Sequence, residues 1–186
     1  GAQRGALGPL GTLRFVWSMV LVVPIMLWLK SRSILGINML RIAAGGQGNL
    51  LLNIGPKPDG SVPEEAYERL IPVGQWIEQN GEALYGDVDR ADHLEWMPTG
   101  QWTLKGNTGY YWCNRWPGRE LVIGGLLTKV LKASYLVTGE PIAFEQTDNR
   151  LILKGLPDEN PDKIAGVCVL KIEFDDKPGH VLKVVD

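Results

Sequence analysis

Three patterns of apolar and polar positions follow one another along the chain: a continuous apolar run, an α/β spacing, and a series of short alternating segments. From Ser33 to Ala44, the apolar positions Ile34, Leu35, Ile37, Met39, Leu40, Ile42 and Ala43 predict a largely buried helix. Ser33 is its expected cap, and Gly45 and Gly46 its end. The run Leu50 to Ile54, broken only by Asn53, is too short for a helix and predicts a buried strand. Pro56, Pro58, Asp59 and Gly60 then form a turn, since proline removes donors and Asp-Gly accepts a reversed backbone. A second helix should start at Pro63, with Glu64 and Glu65 at the positive end of its dipole and Gly81 as a left-handed cap. On it, Tyr67, Leu70, Ile71, Gly74 and Ile77 are expected to face inward, and Glu64, Glu68, Gln75 and Glu78 outward. Pro72 removes the bond to Glu68 and should kink or split this helix.

Past the charged connector Asp87 to Asp92, the period changes. HLEWMP, QWTLKG, GYYWCN, ELVIGG, KVLKASYL, PIAFEQ, NRLILKG and GVCVLKIEF are strand-like runs separated by Gly, Pro, Asn or Asp, which predicts an antiparallel sandwich. FEQTDNRLIL reads as a hairpin reversing at Asp148 and Asn149. In the final segment, DDKPGHVLKVVD, Pro178 and Gly179 break the pattern after the last strand.

Composition narrows the chemistry. The 186 residues are 45% hydrophobic, enough for a packed core. A net charge of −2, from 19 basic and 21 acidic residues without a Lys/Arg cluster, offers no field for a nucleic-acid backbone. Cys113 and Cys168 have neither metal-ligand spacing nor the density of a disulfide framework; two buried free thiols are expected, with a single bridge as the alternative. With His93 and His180 the only histidines, no metal site is expected. The Gly-rich AAGGQGN follows a helix and enters a strand, the reverse of the order a phosphate loop requires, so its glycines are read as turn formers. Trp96, Trp102, Tyr110, Tyr111, Trp112 and Trp116 could stack on sugars, but consecutive strand residues alternate in direction, and packing is the default role for most of them.

The first fourteen residues carry no periodicity, and Phe15 to Leu29 is the most apolar run in the chain. It is shorter than the roughly 20 residues of a membrane span and contains Pro24, so no integral span is expected. It is read as a buried strand or two, broken at Pro24; the alternative is the core of a signal peptide.

The segments GNLLLNIGPKPDG (Gly48 to Gly60) and NGEALYG (Asn80 to Gly86) resemble the end of the catalytic barrel in family twenty-nine α-L-fucosidases. WTLKGNTGYYWCNRWPGRELVIGGL and VLKASYLVTGEPIAFEQTDNRLILKGLP resemble the β-sandwich that follows that barrel. The resemblance implies an α/β remnant of a (β/α)8 barrel followed by an all-β antiparallel sandwich. The implied division is an apolar segment of unclear origin over 1–32, the last helix–strand–helix part of the barrel over 33–90, and the sandwich over 91–186. It implies retaining hydrolysis of terminal α-L-fucosyl linkages, with a fucosylated glycan or fucoside as partner and no metal or organic cofactor.

Such hydrolysis needs two carboxyl groups about 5 Å apart. The family pattern places them upstream of the matched segments, so the catalytic carboxylates are expected to be absent and no catalytic residue is assigned. Glu64, Glu65, Glu68, Glu82 and the connector acids are read as dipole partners and surface. In a parallel barrel, function gathers at the C-terminal ends of strands, which makes Asn53 the candidate substrate-binding residue, with a structural role at least as well supported. Two features depart from the family: Pro72 stands where an ordinary helix former is the rule, and Phe15 to Leu29 lacks the polar positions of the barrel, for which an altered gene start would account. An incomplete barrel would expose apolar surface, so self-association is expected. A secreted or periplasmic location is favoured over a cytoplasmic one. The alternative function is a non-catalytic carbohydrate-binding or structural β-sandwich module.

Overall fold

The computed structural model describes residues 20–23, 33–52, 54–89, 91, 94 and 99–179. Strand β1 (Val20–Val23), helix α1 (Ser33–Gly45), strand β2 (Asn49–Leu52) and helix α2 (Glu64–Asn80) come first, followed by a 3-10 turn, Gly81–Ala83. Seven strands complete the order: β3 (Gly100–Lys105), β4 (Thr108–Cys113), β5 (Glu120–Gly124), β6 (Val130–Tyr135), β7 (Ala143–Thr147), β8 (Arg150–Lys154) and β9 (Cys168–Phe174).

β1 and β2 pair in parallel, with α1 as the crossover between them. This is the connection that a parallel pair requires, since no tight turn can join its strands. The turn from α1 into β2 is closed by Gly48 N–H donating to the Ala43 carbonyl at 2.7 Å. Its left-handed residue is Gln47, at φ 54°, not one of the neighbouring glycines.

The other strands form two antiparallel sheets, β3-β4-β9-β6 and β5-β8-β7. Alternation gives the four-stranded sheet two apolar faces. Trp102, Leu104, Tyr111, Cys113, Cys168, Leu170, Ile172 and Phe174 point toward the smaller sheet and meet Leu121, Ile123, Leu151 and Leu153 there. Tyr110, Trp112 and Val169 point the other way, onto Ile37, Met39, Val73 and Trp76 of the two helices. The described residues therefore stack as sheet, core, sheet, second core and helices.

The predicted sandwich runs from QWTLKG onward each coincide with a strand, and β7 and β8 reverse at Asp148 and Asn149 as expected, Thr147 pairing with Arg150. HLEWMP lies largely outside the described residues, as do Trp96, His93 and His180.

Four local expectations are corrected. The inward stripe of α2 is Ala66, Val73, Trp76 and Asn80, with Leu70 and Ile77 partly buried, while Tyr67 and Ile71 are exposed. The bulk of Trp76 sets this rotation, because its indole packs on Trp112 and its N–H meets the Val167 carbonyl at 2.8 Å. Of the kink or split expected at Pro72, the split does not occur, since α2 is one helix from Glu64 to Asn80. The carbonyl that Pro72 leaves free belongs to Glu68, an exposed residue, on the side of the helix open to solvent. Gly81 is right-handed, at φ −57°, and the chain continues into the 3-10 turn before Gly86 reverses it at φ 91°. Finally, β2 is not a buried strand: Leu50 and Leu52 are half-buried and Leu51 is 56% exposed, since β1 flanks it on one side only among the described residues.

Candidate functional site

Asn53, the sequence-derived candidate for substrate binding, lies outside the described residues. The loop after it is a self-contained turn. Lys57 N–H donates to the Ser61 carbonyl at 2.8 Å, and Asp59 Oδ1 accepts from the Ser61 N–H and hydroxyl at 2.9 and 2.7 Å. Those bonds from Ser61 hold the Asp59 carboxyl below its ordinary range.

A cavity of about 850 Å³ opens where the end of α2, the β6–β7 turn and the loop before β9 converge. Gln79, Asn80, Tyr135, Thr138, Glu140 and Asp162 bring polar groups to it, and Val137, Ile164 and several prolines give it apolar wall. That mixture, apolar wall with a few placed polar groups, is the usual make-up of a small-molecule site.

Each wall is held by local chemistry. On the α2 side, the buried Asn80 donates from Nδ2 to the Trp76 carbonyl at 3.0 Å, leaving its Oδ1 without a partner among the described residues. On the loop side, Asp162 accepts three backbone N–H groups, from Ile164 at 3.2 Å, Ala165 at 3.1 Å and Val167 at 2.8 Å. Asn160 adds a bond from Nδ2 to the Gly166 carbonyl at 2.7 Å, across a glycine at φ 75°. This polar lacework gives the loop a fixed shape without secondary structure. On the turn side, Tyr135 N–H meets the Glu140 carbonyl at 3.0 Å, and Gly139 makes the reversal at φ 72°. Burial, with Cys168 and Glu140 near, raises the Tyr135 phenol above its ordinary value, so it presents a neutral hydroxyl.

A second polar cluster joins the 3-10 turn to the sheet. Glu82 accepts from Lys171 Nζ at 2.6 Å and from Tyr110 Oη at 2.9 Å, and Lys105 donates to the carbonyls of Glu82 and Tyr85. The Lys171 bond chiefly holds the Glu82 carboxyl low, while burial and then Glu82 raise the Tyr110 phenol. Beneath it, Thr103 Oγ1 donates to the Ala83 carbonyl at 2.8 Å and accepts from Trp112 Nε1 at 2.9 Å. On α1, Arg41 is buried with its Nε unpartnered among the described residues, and burial pushes its guanidinium down to about 10.

The remaining sequence candidates disperse. Tyr110, Tyr111, Trp112 and Trp102 are core residues and offer no stacking platform. Glu64, Glu65 and Glu68 are exposed on α2. Among the described residues, the displaced carboxyls, Asp59, Glu82, Asp158 and Glu159, all move downward, away from what a general acid requires. The cavity residues were not singled out from sequence. The spacing of Asn160 and Asp162 in DENPDKIAG was the available signal, as it predicts a side-chain-capped loop.

Residues 29–82 match the family model described as Alpha-L-fucosidase. The mouse tissue alpha-L-fucosidase is 33% identical over 130 residues, covering 68% of this chain and 27% of that protein. The human tissue alpha-L-fucosidase is 42% identical over 71 residues, covering 38% and 15%. Among solved structures, alpha-L-fucosidase isoenzyme 1 from Paenibacillus thiaminolyticus matches with a TM-score of 0.68 at 25% identity, over 78% of this chain and 35% of that one. The Thermotoga maritima alpha-fucosidase in complex with fucose matches with a TM-score of 0.63 at 26% identity, over 76% and 34%. The chain thus spans about a quarter of the mouse relative's length and about a third of those structures. Local sequence and tertiary fold agree on one class of protein, the glycoside hydrolases. Within that class, the chain is related to the α-L-fucosidases, whose family model it matches over residues 29–82.

Proposed function

We propose that this chain serves retaining hydrolysis of terminal α-L-fucosyl linkages, as part of a site whose two catalytic carboxyls lie outside its described residues. The observation that carries this reading is the fold match to a solved fucosidase over 78% of the chain. Helix α1, strand β2 and helix α2 fit the closing helix–strand–helix part of a (β/α)8 barrel, residues 33–90, with β1 paired in parallel ahead of it, and the two antiparallel sheets fit a sandwich over 91–186 that braces it. The downward shifts of Asp59, Glu82, Asp158 and Glu159 support the view that these acids do not supply the chemistry. Leu51, Ile42 and Ile71 are exposed on the α/β layer and supply apolar surface for self-association.

The test is release of the aryl group from an aryl α-L-fucoside by the purified chain, beside variants of each acid from Glu64 to Asp92. The expected result is a folded chain, by circular dichroism, whose turnover is absent or indifferent to those replacements. Turnover abolished by one of them would place the catalytic group within this segment. A clean monomer by sedimentation at high concentration would remove the self-association part.

The cavity favours a second reading, a non-catalytic carbohydrate site, because Asn80, Tyr135 and Thr138 offer amide and hydroxyl groups beside an apolar wall. Fucose binding that shifts the Asn80 amide resonance, without hydrolysis, would support this reading over the first.

A further inference from the structure

Cys113 and Cys168 are buried free thiols that stand directly opposite each other in the register of β4 and β9. Both side chains enter the core between the sheets, so they share one face. The class of the pair follows from antiparallel alternation. Phe174 N–H donates to the Asn107 carbonyl at 2.9 Å, which marks that position as hydrogen-bonded. Counting by twos along the ladder, Gly109 with Ile172, Tyr111 with Leu170 and Cys113 with Cys168 belong to the same class. Such pairs hold their Cα atoms about 5.5 Å apart, inside the span that a disulfide bridges. Their Cβ atoms, about 4.5–5.5 Å apart, sit at or beyond the upper end of the roughly 3.5–4.5 Å that a relaxed bridge spans. A bond formed there draws two strands together and is reduced more readily than a structural one.

Access is the second observation. Cys168 lines the cavity beside Tyr135 and Val169, whereas Cys113 is fully enclosed and does not reach it. One cysteine of the pair therefore borders a route for small molecules, and the other lies across the ladder from it.

We propose that Cys113 and Cys168 form an oxidative modification site, which hydrogen peroxide entering the cavity converts into a reversible disulfide between β4 and β9. The Cys168 sulfur attacks one peroxide oxygen, the O–O bond breaks, and the departing hydroxide takes up the thiol proton as water, leaving a sulfenic acid. The Cys113 sulfur then displaces the hydroxyl group from Cys168, which leaves as water with the Cys113 proton. Two thiols lose two electrons and two protons in all, and one peroxide is reduced to two waters. A thiol reductant reverses the bond.

The experiment treats the folded full chain with hydrogen peroxide, removes the oxidant, unfolds the chain in denaturant with an alkylating agent, and maps peptides by mass spectrometry. The expected product has lost two hydrogens, carries a peptide joining Cys113 to Cys168, and recovers both alkylation sites after dithiothreitol. In Cys113→Ser, peroxide should leave oxygen adducts on Cys168, and in Cys168→Ser it should leave Cys113 free to alkylate. Full alkylation of both cysteines in the treated wild-type chain would overturn the proposal. Oxygen adducts on Cys168 with Cys113 still alkylated, or a link between chains, would do the same. The wild-type map decides the question even if neither variant folds.

Discussion

The indole rings of Trp76 and Trp112 lie with centroids 5.0 Å apart and planes inclined at 40°, joining the helical layer to the outer face of the four-stranded sheet. Both side chains are fully buried, and each N–H has a partner, Val167 O for Trp76 and Thr103 Oγ1 for Trp112. A large aromatic pair with satisfied polar ends gives the junction both area and direction.

Replacing Trp76 should therefore loosen the junction. Trp76→Ala is expected to lower unfolding free energy by about 3–5 kcal/mol, from lost burial plus the cavity left behind. Trp76→Phe keeps most of the area and removes the bond to Val167, at a cost of about 1 kcal/mol for the bond. Urea titration followed by circular dichroism measures both. Equal losses for the two variants would show that the hydrogen bond, not packing, holds the helix.

Glycines in this chain divide sharply by surroundings. A Cβ on Gly100 would lie 2.3 Å from the Trp112 carbonyl oxygen, and one on Gly109 would lie 2.8 Å from the Trp102 ring. Gly100→Ala, which presses on backbone, should destabilise by about 1–3 kcal/mol or more. Gly74, exposed within α2, has nothing near a Cβ, so Gly74→Ala should stabilise by about 0.5–1 kcal/mol. Thermal melts of the two variants should move in opposite directions.

The acid side of the stability profile should carry the mark of Glu82. Its folded pKa is depressed, chiefly by the bond from Lys171, with Tyr110 adding to it and burial opposing. A depressed carboxyl contributes stability above its unfolded value, about 4.3, and loses it as pH falls through the folded one. Wild-type Tm should thus drop more steeply from about pH 5 to 3 than that of Glu82→Gln. The carboxylate side chain is half exposed, so the difference should be small and shrink with salt. Parallel Tm curves would remove Glu82 from the account.

On the alkaline side the sign reverses. Burial, then Glu82, raises the folded Tyr110 phenol, so the unfolded chain ionises first, near pH 10. Stability is complete below that value and is lost as pH climbs toward the folded one. Tyr110→Phe should flatten the decline measured by urea unfolding above about pH 10. Tyr111, raised by its own burial, should leave a residual slope.

The loop that walls the cavity depends on one carboxylate. Asp162→Ala would orphan the N–H groups of Ile164, Ala165 and Val167, costing about 2 kcal/mol or more. Amide exchange of these three groups should accelerate well before global unfolding, and any fucose binding at the cavity should weaken with it.

Sequence alone determined the strands of the sandwich, the turn at Asp148 and Asn149, and the two helices around the β2 strand, because alternation, glycine and proline act over a few neighbours. The resemblance of Gly48 to Gly60 and of the sandwich runs carried the family as well. Tertiary structure alone decided which stripe of α2 faces inward, since Tyr67 and Ile71 are as apolar as the residues that won, and only the Trp112 surface opposite selects Trp76. It also decided the strand order that sets β9 between β4 and β6, and so brings Cys113 to Cys168 across 55 positions of sequence. The cavity follows from the same order, because its walls come from α2, the β6–β7 turn and the loop before β9. Pairing between distant strands depends on the shape of a partner surface, and no local pattern of residues encodes where that surface will be.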